Sequence, residues 1–289
     1  MKQYLSPLRY PGGKAKLGPY FARLLASQSV TVDSYCEPYA GGAGAGLYLL
    51  MHGYVDRVLI NDLNPGIAAF WRAALRQSDA FIDRVETSAV TVEAWRKHRA
   101  IYMSPTAQSD LDLGFSTYFL NRTNRSGILS ARPIGGLEQT GNWKIDARFN
   151  KPELIDRIRA LAEHAQQIEV KQEPATRLIV RLNRRKRRVF MYVDPPYIKQ
   201  GEELYMSTHD WNDHARLAQL LDLSSHPWVL TYDVDQRVRA LYPNLRCMRF
   251  GISHTAQTRK VGSEFLFFGQ GLRVPDLLIL PDREGQWIT

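Results

Sequence analysis

Short apolar runs separated by turn-forming residues dominate the first part of the chain. The run Val32 to Cys36 predicts a buried strand. A glycine-rich turn follows over residues 39–46, and then comes the apolar run Leu47 to Met51, with Gly53 where a helix C-cap is expected. The predicted order is therefore strand, glycine loop, helix.

A second unit of the same kind follows. Residues Arg57 to Ile60 predict a strand that ends at Asn61-Asp62. Asn64-Pro65 then supplies an N-cap and a first-turn proline for a helix that reaches about Arg76. Two such units in succession predict a parallel sheet flanked by helices.

The alternation lapses between about residues 77 and 167. The pattern is helical from 78 to 120, rich in glycine, polar and basic residues from 126 to 150, and helical again from Pro152. Strand patterns then return at residues 168–170, 189–193 and 228–232, with a final set near 246–252 and 264–268. We therefore predict an α/β fold in residues 1–76 and 168–289, with a mostly parallel sheet, helices on both faces and an antiparallel edge. An inserted helical and irregular region, 77–167, interrupts it.

Composition adds a class of partner to this picture. The 289 residues are 44% hydrophobic and 23% charged, as in ordinary globular proteins, but the formal net charge is +9. A basic balance this strong favours a polyanionic partner, nucleic acid before membrane. Two distant cysteines, Cys36 and Cys247, fit a reducing compartment, and without a long apolar run the expected location is the cytoplasm.

The tetrapeptide Asp194-Pro195-Pro196-Tyr197 directly follows the predicted strand 189–193. Two prolines neither continue a strand ladder nor enter a helix interior, so they stiffen the backbone and leave the Pro195 carbonyl without a ladder partner. A carboxylate and a carbonyl beside a flat ring suit a planar group that bears an NH2, such as a nucleobase amine. Taken alone, the tetrapeptide is equally consistent with a strand-end turn.

The glycine turn and Asp62 together indicate a nucleoside cofactor. The turn allows close approach to the backbone, and the following helix presents N–H groups that suit a carboxylate or a phosphate. An acid at a strand end, about 20 residues beyond such a turn, is able to accept hydrogen bonds from both ribose hydroxyls. Asp62 would otherwise cap the next helix, but Asn64 already fills that position.

A turn of the form aromatic-Pro-Gly-Gly-Lys precedes the first strand, with Tyr10 and Lys14 flanking Gly12 and Gly13. Lys14 is able to neutralise a cofactor carboxylate, and Tyr10 is able to cover part of a cofactor. A core tyrosine and a solvated lysine are the simpler interpretations of this turn when it is considered alone.

Taken in order, these motifs resemble the D12 class of N6-adenine DNA methyltransferases, the family of the Dam methylase, in its alpha arrangement. The turn of Tyr10 and Lys14 comes first, the Glu37-Pro38-Tyr39 glycine loop with Asp62 comes next, and Asp194-Pro195-Pro196-Tyr197 follows. The segments Phe119 to Gly127, Phe149-Asn150 and Thr258-Arg259-Lys260 also resemble segments of the family. The resemblance is specific at the motifs and weak across residues 77–115.

The resemblance implies a Rossmann-like methyltransferase sheet and S-adenosylmethionine as the cofactor. It assigns the cofactor contacts to Tyr10, Gly12, Gly13, Lys14, Glu37, Pro38, Tyr39, Gly41, Gly42, Asp62 and Asp194. Glu37 would lie near the methionine amino group. Where the family commonly has Gly-x-Gly, this chain has Gly41-Gly42-Ala43, which leaves the backbone path of the loop open.

The implied catalytic group is Asp194, Pro195, Pro196 and Tyr197. Adenine N6 is a poor nucleophile because its lone pair is delocalised into the ring. The Asp194 carboxylate and the Pro195 carbonyl would accept hydrogen bonds from its two N–H groups and draw the nitrogen toward sp³ geometry. Positioning would supply most of the acceleration. The base has to be flipped out of the duplex, where stacking of Tyr197 on it is worth about 1–3 kcal/mol.

Recognition of double-stranded DNA is expected from the inserted region. Arginine suits guanine in the major groove, and asparagine suits adenine. The candidate contacts, interleaved with Trp143, are Asn121, Arg122, Asn124, Arg125, Arg132, Lys144 and Arg148. No metal is expected, because the sequence around His209, His214 and His254 lacks a metal-ligand pattern.

Two alternatives stay open at this point. In the first, the enzyme methylates another amine, such as cytosine N4 or adenine in RNA. In the second, the chain is a DNA-binding module that retains a methyltransferase-like sheet without turnover. The complete set Lys14, Asp62, Asp194 and Tyr197 argues against the second alternative. The sequence does not specify the target site, a cognate restriction endonuclease as partner, or the oligomeric state.

Overall fold

The computed structural model describes residues 5–10, 14–196, 211–256 and 258–288. Its strands are β1 (Ser34–Glu37), β2 (Arg57–Asn61), β3 (Ile168–Lys171), β4 (Val189–Val193), β5 (Trp228–Asp233), β6 (Arg246–Ala256), β7 (Thr258–Phe268), β8 (Leu278–Leu280), β9 (Arg283–Glu284) and β10 (Gln286–Ile288). Its helices are α1 (Gly18–Ala26), α2 (Gly44–Met51), α3 (Pro65–Arg76), α4 (Ser78–Thr87), α5 (Val92–Tyr102), α6 (Asp110–Thr123), α7 (Lys151–Glu163), α8 (Ala175–Asn183), α9 (Trp211–Asp222) and α10 (Gln236–Leu241).

The described strands form an eight-stranded sheet in the order β10-β6-β7-β5-β4-β1-β2-β3. The strands from β5 to β3 pair in parallel, whereas β7, β6 and β10 pair antiparallel at one edge. This confirms the predicted α/β fold with a mostly parallel sheet and an antiparallel edge. A separate ribbon is formed by β8 and β9.

The chain reverses its course across the sheet between β1 and β4. It runs from β1 outward through β2 to β3, and then returns so that β4 pairs with the other side of β1. In open α/β sheets, ligands bind in the crevice outside the carboxyl ends of the strands at such a switch point. The strand ends that lead to Glu37 and Asp194 are therefore neighbours where a site is expected.

Both faces of the central strands are buried. Successive side chains of a strand point to opposite faces, and along β4 Phe190 and Tyr192 join one core while Met191 and Val193 join the other. Helices α1 to α7 contribute to the first core, and α8 to α10 contribute to the second. Apolar strands of this kind are typical of a parallel sheet covered on both sides. Within the described ranges, no helix is long and apolar enough to cross a membrane.

The helices of the inserted region, α4 to α7, pack on α3 and on one another. At the closest approach, a Cβ on Gly114 of α6 would lie 2.7 Å from the Ala69 carbonyl oxygen and 2.8 Å from the Phe70 Cα of α3. Beside this crossing, the rings of Phe70 and Tyr118 stack with 5.6 Å between their centroids. The helices within residues 77–167 share a hydrophobic core with the sheet. The division into a separate recognition region therefore rests on its proposed function and stays a prediction.

Gly114→Ala is expected to destabilise the fold, because the added methyl group would overlap backbone atoms of α3 that move only with their helix. The free energy of unfolding should fall by about 1–3 kcal/mol, the usual range for overpacking. Urea denaturation measures the change. Gly42→Ala is the matched control, since the atom nearest to a Cβ there, Ser6 Oγ, is 3.4 Å away. Equal losses in the two variants would contradict the close crossing.

Candidate active site

Asp194 lies directly after β4, at the switch point of the sheet, and two contacts hold its carboxylate. Thr231 on β5 donates a hydrogen bond to Asp194 Oδ1 at 2.6 Å, and Lys14 Nζ lies 3.3 Å from the same oxygen. The Asp194 side chain keeps 22% of its surface exposed. The carboxylate is therefore anchored by the protein and still accessible to a ligand.

Lys14 bridges two carboxylates. It begins the 3₁₀ turn Lys14–Leu17 that leads into α1, and its Nζ donates a 2.6 Å hydrogen bond to Glu264 Oε2. Glu264 lies on β7 with 1% of its side chain exposed. An unpaired buried charge is costly, so the Lys14 ammonium group stabilises the buried carboxylate of Glu264. The predicted contact of Lys14 with a cofactor carboxylate stays a proposal.

Burial raises the pKa of Asp194, because removal from water disfavours the charged carboxylate. The Lys14 ammonium opposes this shift, the negative charge of Glu264 adds to it, and the hydrogen bond from Thr231 opposes it. The ionised state of Asp194 therefore depends on Lys14 and on the hydroxyl of Thr231.

Glu37 ends β1 and is buried. Its Oε1 accepts hydrogen bonds from the Gly46 backbone N–H at 2.8 Å and from the Tyr35 hydroxyl at 3.0 Å. Burial raises the pKa of Glu37 to about 8, although these two hydrogen bonds favour the charged form. Its Oε2 has no hydrogen-bond partner among the described residues, which leaves one carboxylate oxygen for a ligand.

The loop after β1 is shaped by contacts to its glycines. Gly41 has a φ of +47°, in the left-handed region, and a Cβ there would lie 2.7 Å from the Tyr10 ring. A Cβ on Gly42 would lie 3.5 Å from the same ring. Trp71 Nε1 donates a hydrogen bond to the Gly41 carbonyl oxygen at 2.9 Å. Tyr10 and Trp71 therefore both contact the glycine loop at Gly41.

Ala43 stands where the resembled family commonly has glycine, and it adopts φ 45° and ψ 32° immediately before α2. This left-handed conformation costs an alanine about 1–2 kcal/mol, whereas glycine adopts it readily. Ala43 thus adopts a backbone conformation that is more usual for glycine, and its side chain is buried in the core.

Asp62 follows β2 and contacts the glycine loop. Its Oδ2 accepts a hydrogen bond from the Gly41 N–H and its Oδ1 accepts one from the Asn64 N–H, both at 2.9 Å. Burial raises the pKa of Asp62 to about 6, against the effect of these bonds. Asn64 caps α3, as predicted, by accepting from the N–H groups of Gly66 and Ile67. Each Asp62 oxygen retains a further lone pair, so its contact with ribose hydroxyls remains a proposal compatible with the geometry.

The other predicted cofactor and catalytic residues lie at the same end of the sheet where they are described. Pro38 is buried, and Tyr39 is half-buried beside the second core. Pro195 is buried, Pro196 is half-buried, and the Pro195 carbonyl accepts no hydrogen bond from the described residues. Gly12, Gly13 and Tyr197 lie outside the described residues. In the described parts of the chain, no group of three or more His, Cys, Asp or Glu could hold a metal ion.

Three polar residues at the site are absent from the sequence-based set: Asn61, Thr231 and Glu264. Asn61 is fully buried, and its Nδ2 donates hydrogen bonds to the carbonyls of Pro38 and Glu173 at 2.8 and 3.0 Å. Thr231 follows the apolar run Trp228 to Leu230 of β5, and Glu264 directly precedes the apolar run Phe265 to Phe268 of β7. A polar residue next to such a run is the signal that would have marked them, because a buried polar group requires a partner.

Asn121, predicted to contact DNA, is instead buried inside the protein. Its Oδ1 accepts a hydrogen bond from the Arg9 N–H at 2.7 Å, and its Nδ2 donates to the carbonyls of Arg9 and Gly127 at 2.8 and 2.9 Å. Both amide donors are therefore used by the backbone. This corrects the expectation that Asn121 reads a base; it joins the inserted region to the segment that precedes Tyr10.

Arg122 and Asn124 are corrected in the same way. Arg122 is 7% exposed and donates to the Arg148 carbonyl at 2.9 Å, and burial lowers its pKa to about 10. Asn124 is fully buried, accepts a hydrogen bond from Trp95 Nε1 at 2.6 Å and donates to two carbonyls of the following turn. Both side chains hold the inserted region together and are not presented to a duplex.

The other four predicted DNA contacts, Arg125, Arg132, Lys144 and Arg148, are exposed. Trp143 precedes Lys144 and is 72% exposed, which is unusual for so large an aromatic side chain. These four cationic side chains and the open indole ring of Trp143 all lie on the surface of residues 125–148.

Gln139 orders the loop that carries Trp143. Its Nε2 donates a hydrogen bond to the Ile134 carbonyl at 2.9 Å, and its Oε1 accepts one from the Ile145 N–H at 2.8 Å. Lys144 Nζ donates to the Gln139 carbonyl at 2.7 Å. The indole ring is therefore displayed by a loop whose two ends are tied to one amide.

Comparison with known proteins gives a family match over most of the chain. A family model described as D12 class N6 adenine-specific DNA methyltransferase matches residues 10–261, a span that contains the Tyr10 turn, the glycine loop with Asp62, and Asp194. A search of curated proteins finds no match. Among solved structures, the chain is similar to the rRNA methyltransferase aviRa from Streptomyces viridochromogenes, with 14% sequence identity and a TM-score of 0.37, over 90% of this chain and 86% of that one.

Lys14→Met is expected to destabilise the protein, because it removes the ammonium group that pairs with the buried carboxylate of Glu264. Breaking a buried pair in this way costs about 3–5 kcal/mol of unfolding free energy. The double variant Lys14→Met/Glu264→Gln also removes the negative charge of that carboxylate and should recover part of the loss. Urea denaturation of the wild type, both single variants and the double variant measures the coupling. A double variant no more stable than Lys14→Met would contradict the pairing.

Proposed function

The chain belongs to the D12 class of N6 adenine-specific DNA methyltransferases, and on that premise we propose that it methylates N6 of a flipped adenine at specific sites in duplex DNA, with S-adenosylmethionine as the methyl donor. Family membership gives the reaction class, a DNA methyltransferase that uses a donor of the S-adenosylmethionine type. Site specificity, base flipping and the roles of the residues named below are the proposal. The observation that supports it most directly is Asp194 at the switch point, anchored by Thr231 and Lys14 and open to a ligand.

The residues at the carboxyl ends of β1 and β2 fit S-adenosylmethionine. Glu37 Oε2 suits the cationic amino group of the methionine part, and that positive charge would in turn favour the ionised form of Glu37. The Asp62 oxygens suit the ribose hydroxyls, which are hydrogen-bond donors. The absence of a Cβ at Gly41 keeps the loop in close contact with Tyr10. When bound, S-adenosylmethionine supplies a methyl group on a positively charged sulfur.

Asp194 and Pro195 are the residues that would activate the amine. The N6 lone pair of adenine is delocalised into the ring, so the nitrogen is a weak nucleophile. The Asp194 carboxylate and the Pro195 carbonyl accept hydrogen bonds from its two N–H groups. These bonds favour tetrahedral geometry at the nitrogen and localise its lone pair. That lone pair would form the new N–C bond while the bond between the methyl carbon and sulfur breaks and leaves its electron pair on sulfur, and the surplus proton leaves to Asp194 or to water. Positioning and fixed acceptors supply most of the acceleration.

An adenine within a duplex does not reach Asp194, so the base has to leave the stack. Pro196 and Tyr197 follow the proposed acceptors in the sequence and are proposed to bind the face of the flipped ring. Stacking on an aromatic residue is worth about 1–3 kcal/mol per base.

The exposed cations of the inserted region are proposed to hold the duplex. Arg125, Arg132, Lys144 and Arg148 supply positive charge for phosphates or for base edges. Trp143 supplies a flat apolar surface beside Lys144, suited to a base or sugar face. Binding therefore combines a salt-dependent part from the cations with a stacking part from the indole ring.

Asp194→Ala is expected to lower the transfer of tritium from labelled S-adenosylmethionine to duplex DNA by roughly 100-fold or more, since it removes one of two fixed groups at the reacting amine. Asp282→Ala is the matched control, because it removes a carboxylate whose side chain is 78% exposed, and it should leave the rate unchanged. A wild-type protein that labels no DNA, or an Asp194→Ala variant that labels DNA as fast as wild type, would refute the proposal.

Trp143→Ala and Lys144→Ala are expected to weaken DNA binding in different ways. Trp143→Ala should weaken binding by about 1–3 kcal/mol at every salt concentration, because it removes stacking. Lys144→Ala should lower the slope of the logarithm of the binding constant against the logarithm of salt concentration by about 1, because it removes a phosphate contact. Fluorescence anisotropy on a labelled duplex measures both.

Lys186→Ala is the control for these two variants. Lys186 is exposed in the loop that precedes β4. It therefore lies at the amino end of the strand, whereas the proposed site lies at the carboxyl ends. It should bind DNA with the wild-type affinity and salt dependence. Unchanged binding in both Trp143→Ala and Lys144→Ala would place the duplex elsewhere on the protein.

A further inference from the structure

Two buried hydroxyl groups lie next to Asp194, on the paired strands β4 and β5. Thr231 on β5 is fully buried and Tyr192 on β4 is 2% exposed, and their oxygens are 2.9 Å apart. The strand ladders use backbone groups and require neither hydroxyl. Burying a polar group costs free energy unless it is hydrogen-bonded, so this pair indicates a role beyond packing.

The hydrogen bonds of the pair run toward Asp194. Thr231 has one hydroxyl proton and donates it to Asp194 Oδ1 at 2.6 Å. Because that proton is used, Tyr192 is the donor in its contact with the Thr231 oxygen. The result is a chain of two hydrogen bonds, from Tyr192 to Thr231 and from Thr231 to Asp194, which gives one oxygen of the carboxylate a fixed donor.

Both described contacts of Asp194 fall on that same oxygen. Thr231 makes the shorter one, at 2.6 Å, while Lys14 Nζ stays 3.3 Å from Oδ1 and lies closer to Glu264, at 2.6 Å. Among the described residues, Asp194 Oδ2 has no hydrogen-bond partner. One carboxylate oxygen is thus held by the protein, and the other is left for a substrate.

Holding Oδ1 also sets the position of Oδ2. The carboxylate is planar, and the torsion that turns it is broad when nothing restrains it. The Lys14 contact alone restrains it weakly, because a flexible side chain provides it over a longer distance. A misplacement of about 1 Å at a reacting centre is able to cost about 100-fold in rate, so the hydroxyl of Thr231 matters even though it touches no substrate.

We propose that Thr231 is a positioning residue for methyl transfer, which, with Tyr192 as its donor, locks Asp194 so that Oδ2 receives an N–H of the target amine. This inference rests on the proposed function and deepens it, since it assigns the oxygen of Asp194 that the amine meets. Thr231 and Tyr192 act through Asp194 and not on the substrate.

Three variants separate positioning from packing. Thr231→Val removes the hydroxyl at nearly constant shape, and it should slow single-turnover methylation of duplex DNA about 10- to 100-fold, with the KM values for DNA and donor nearly unchanged. Thr231→Ser keeps the hydroxyl and should keep most of the rate. The double variant Tyr192→Phe/Thr231→Val leaves no hydroxyl unpaired, so its stability should return toward that of wild type while its rate stays low.

Urea denaturation of the same proteins reports on folding independently of the rate. Wild-type rates in a folded Thr231→Val protein or in the folded double variant would overturn the inference and leave the proposed function standing. Equal losses of rate in Thr231→Ser and Thr231→Val would also overturn it, because the hydroxyl would then not be the group that matters. A wild-type protein without activity on DNA would overturn the proposed function and this inference together.

Discussion

The site depends on the ion cluster of Lys14, Asp194 and Glu264. Removing a charge from water is costly unless an opposite charge or hydrogen bonds compensate it, and here the Lys14 ammonium group contacts two carboxylates. Lys14 and Glu264 are 250 positions apart in the chain, yet they are joined by a 2.6 Å hydrogen bond. The N-terminal turn, the end of β4 and the antiparallel strand β7 must therefore all be in place together. The position of the Asp194 carboxylate therefore depends on the complete sheet and not on β4 alone.

Strand order explains why this cluster lies at the end of the sheet where ligands bind in open α/β folds. The strands β4, β1 and β2 are neighbours, and each ends in or just before an acid: Asp194, Glu37 and Asp62. Burial raises the pKa of all three carboxyl groups, and each is held by hydrogen bonds from the protein. A crevice with three such carboxyl groups suits a cationic donor on one side and an amine on the other. The fold brings this chemistry together through the switch point between β1 and β4.

Much of this arrangement could be predicted from the sequence, because it depends on local patterns. The apolar run before Asp194 and the glycine loop are signals of strand and turn, and they place the acids at strand ends. The partners of Lys14 could not be predicted, since long-range pairing leaves no local pattern. Asn121 was misassigned for a related reason: near the end of helix α6, an amide that satisfies buried backbone groups has the same sequence signature as one that faces a base. Thr231 was missed because one hydroxyl within an apolar strand is easily taken for packing.

This sheet and its insertion are proposed to direct a methyl group to N6 of adenine in duplex DNA. The most direct measurement is mass spectrometry of the nucleosides released from duplex DNA after incubation with the protein and S-adenosylmethionine that carries a deuterated methyl group. We expect deuterium in N6-methyl-2′-deoxyadenosine and in no other nucleoside. Deuterium in N4-methyl-2′-deoxycytidine instead, or label that appears only when RNA replaces DNA, would contradict it.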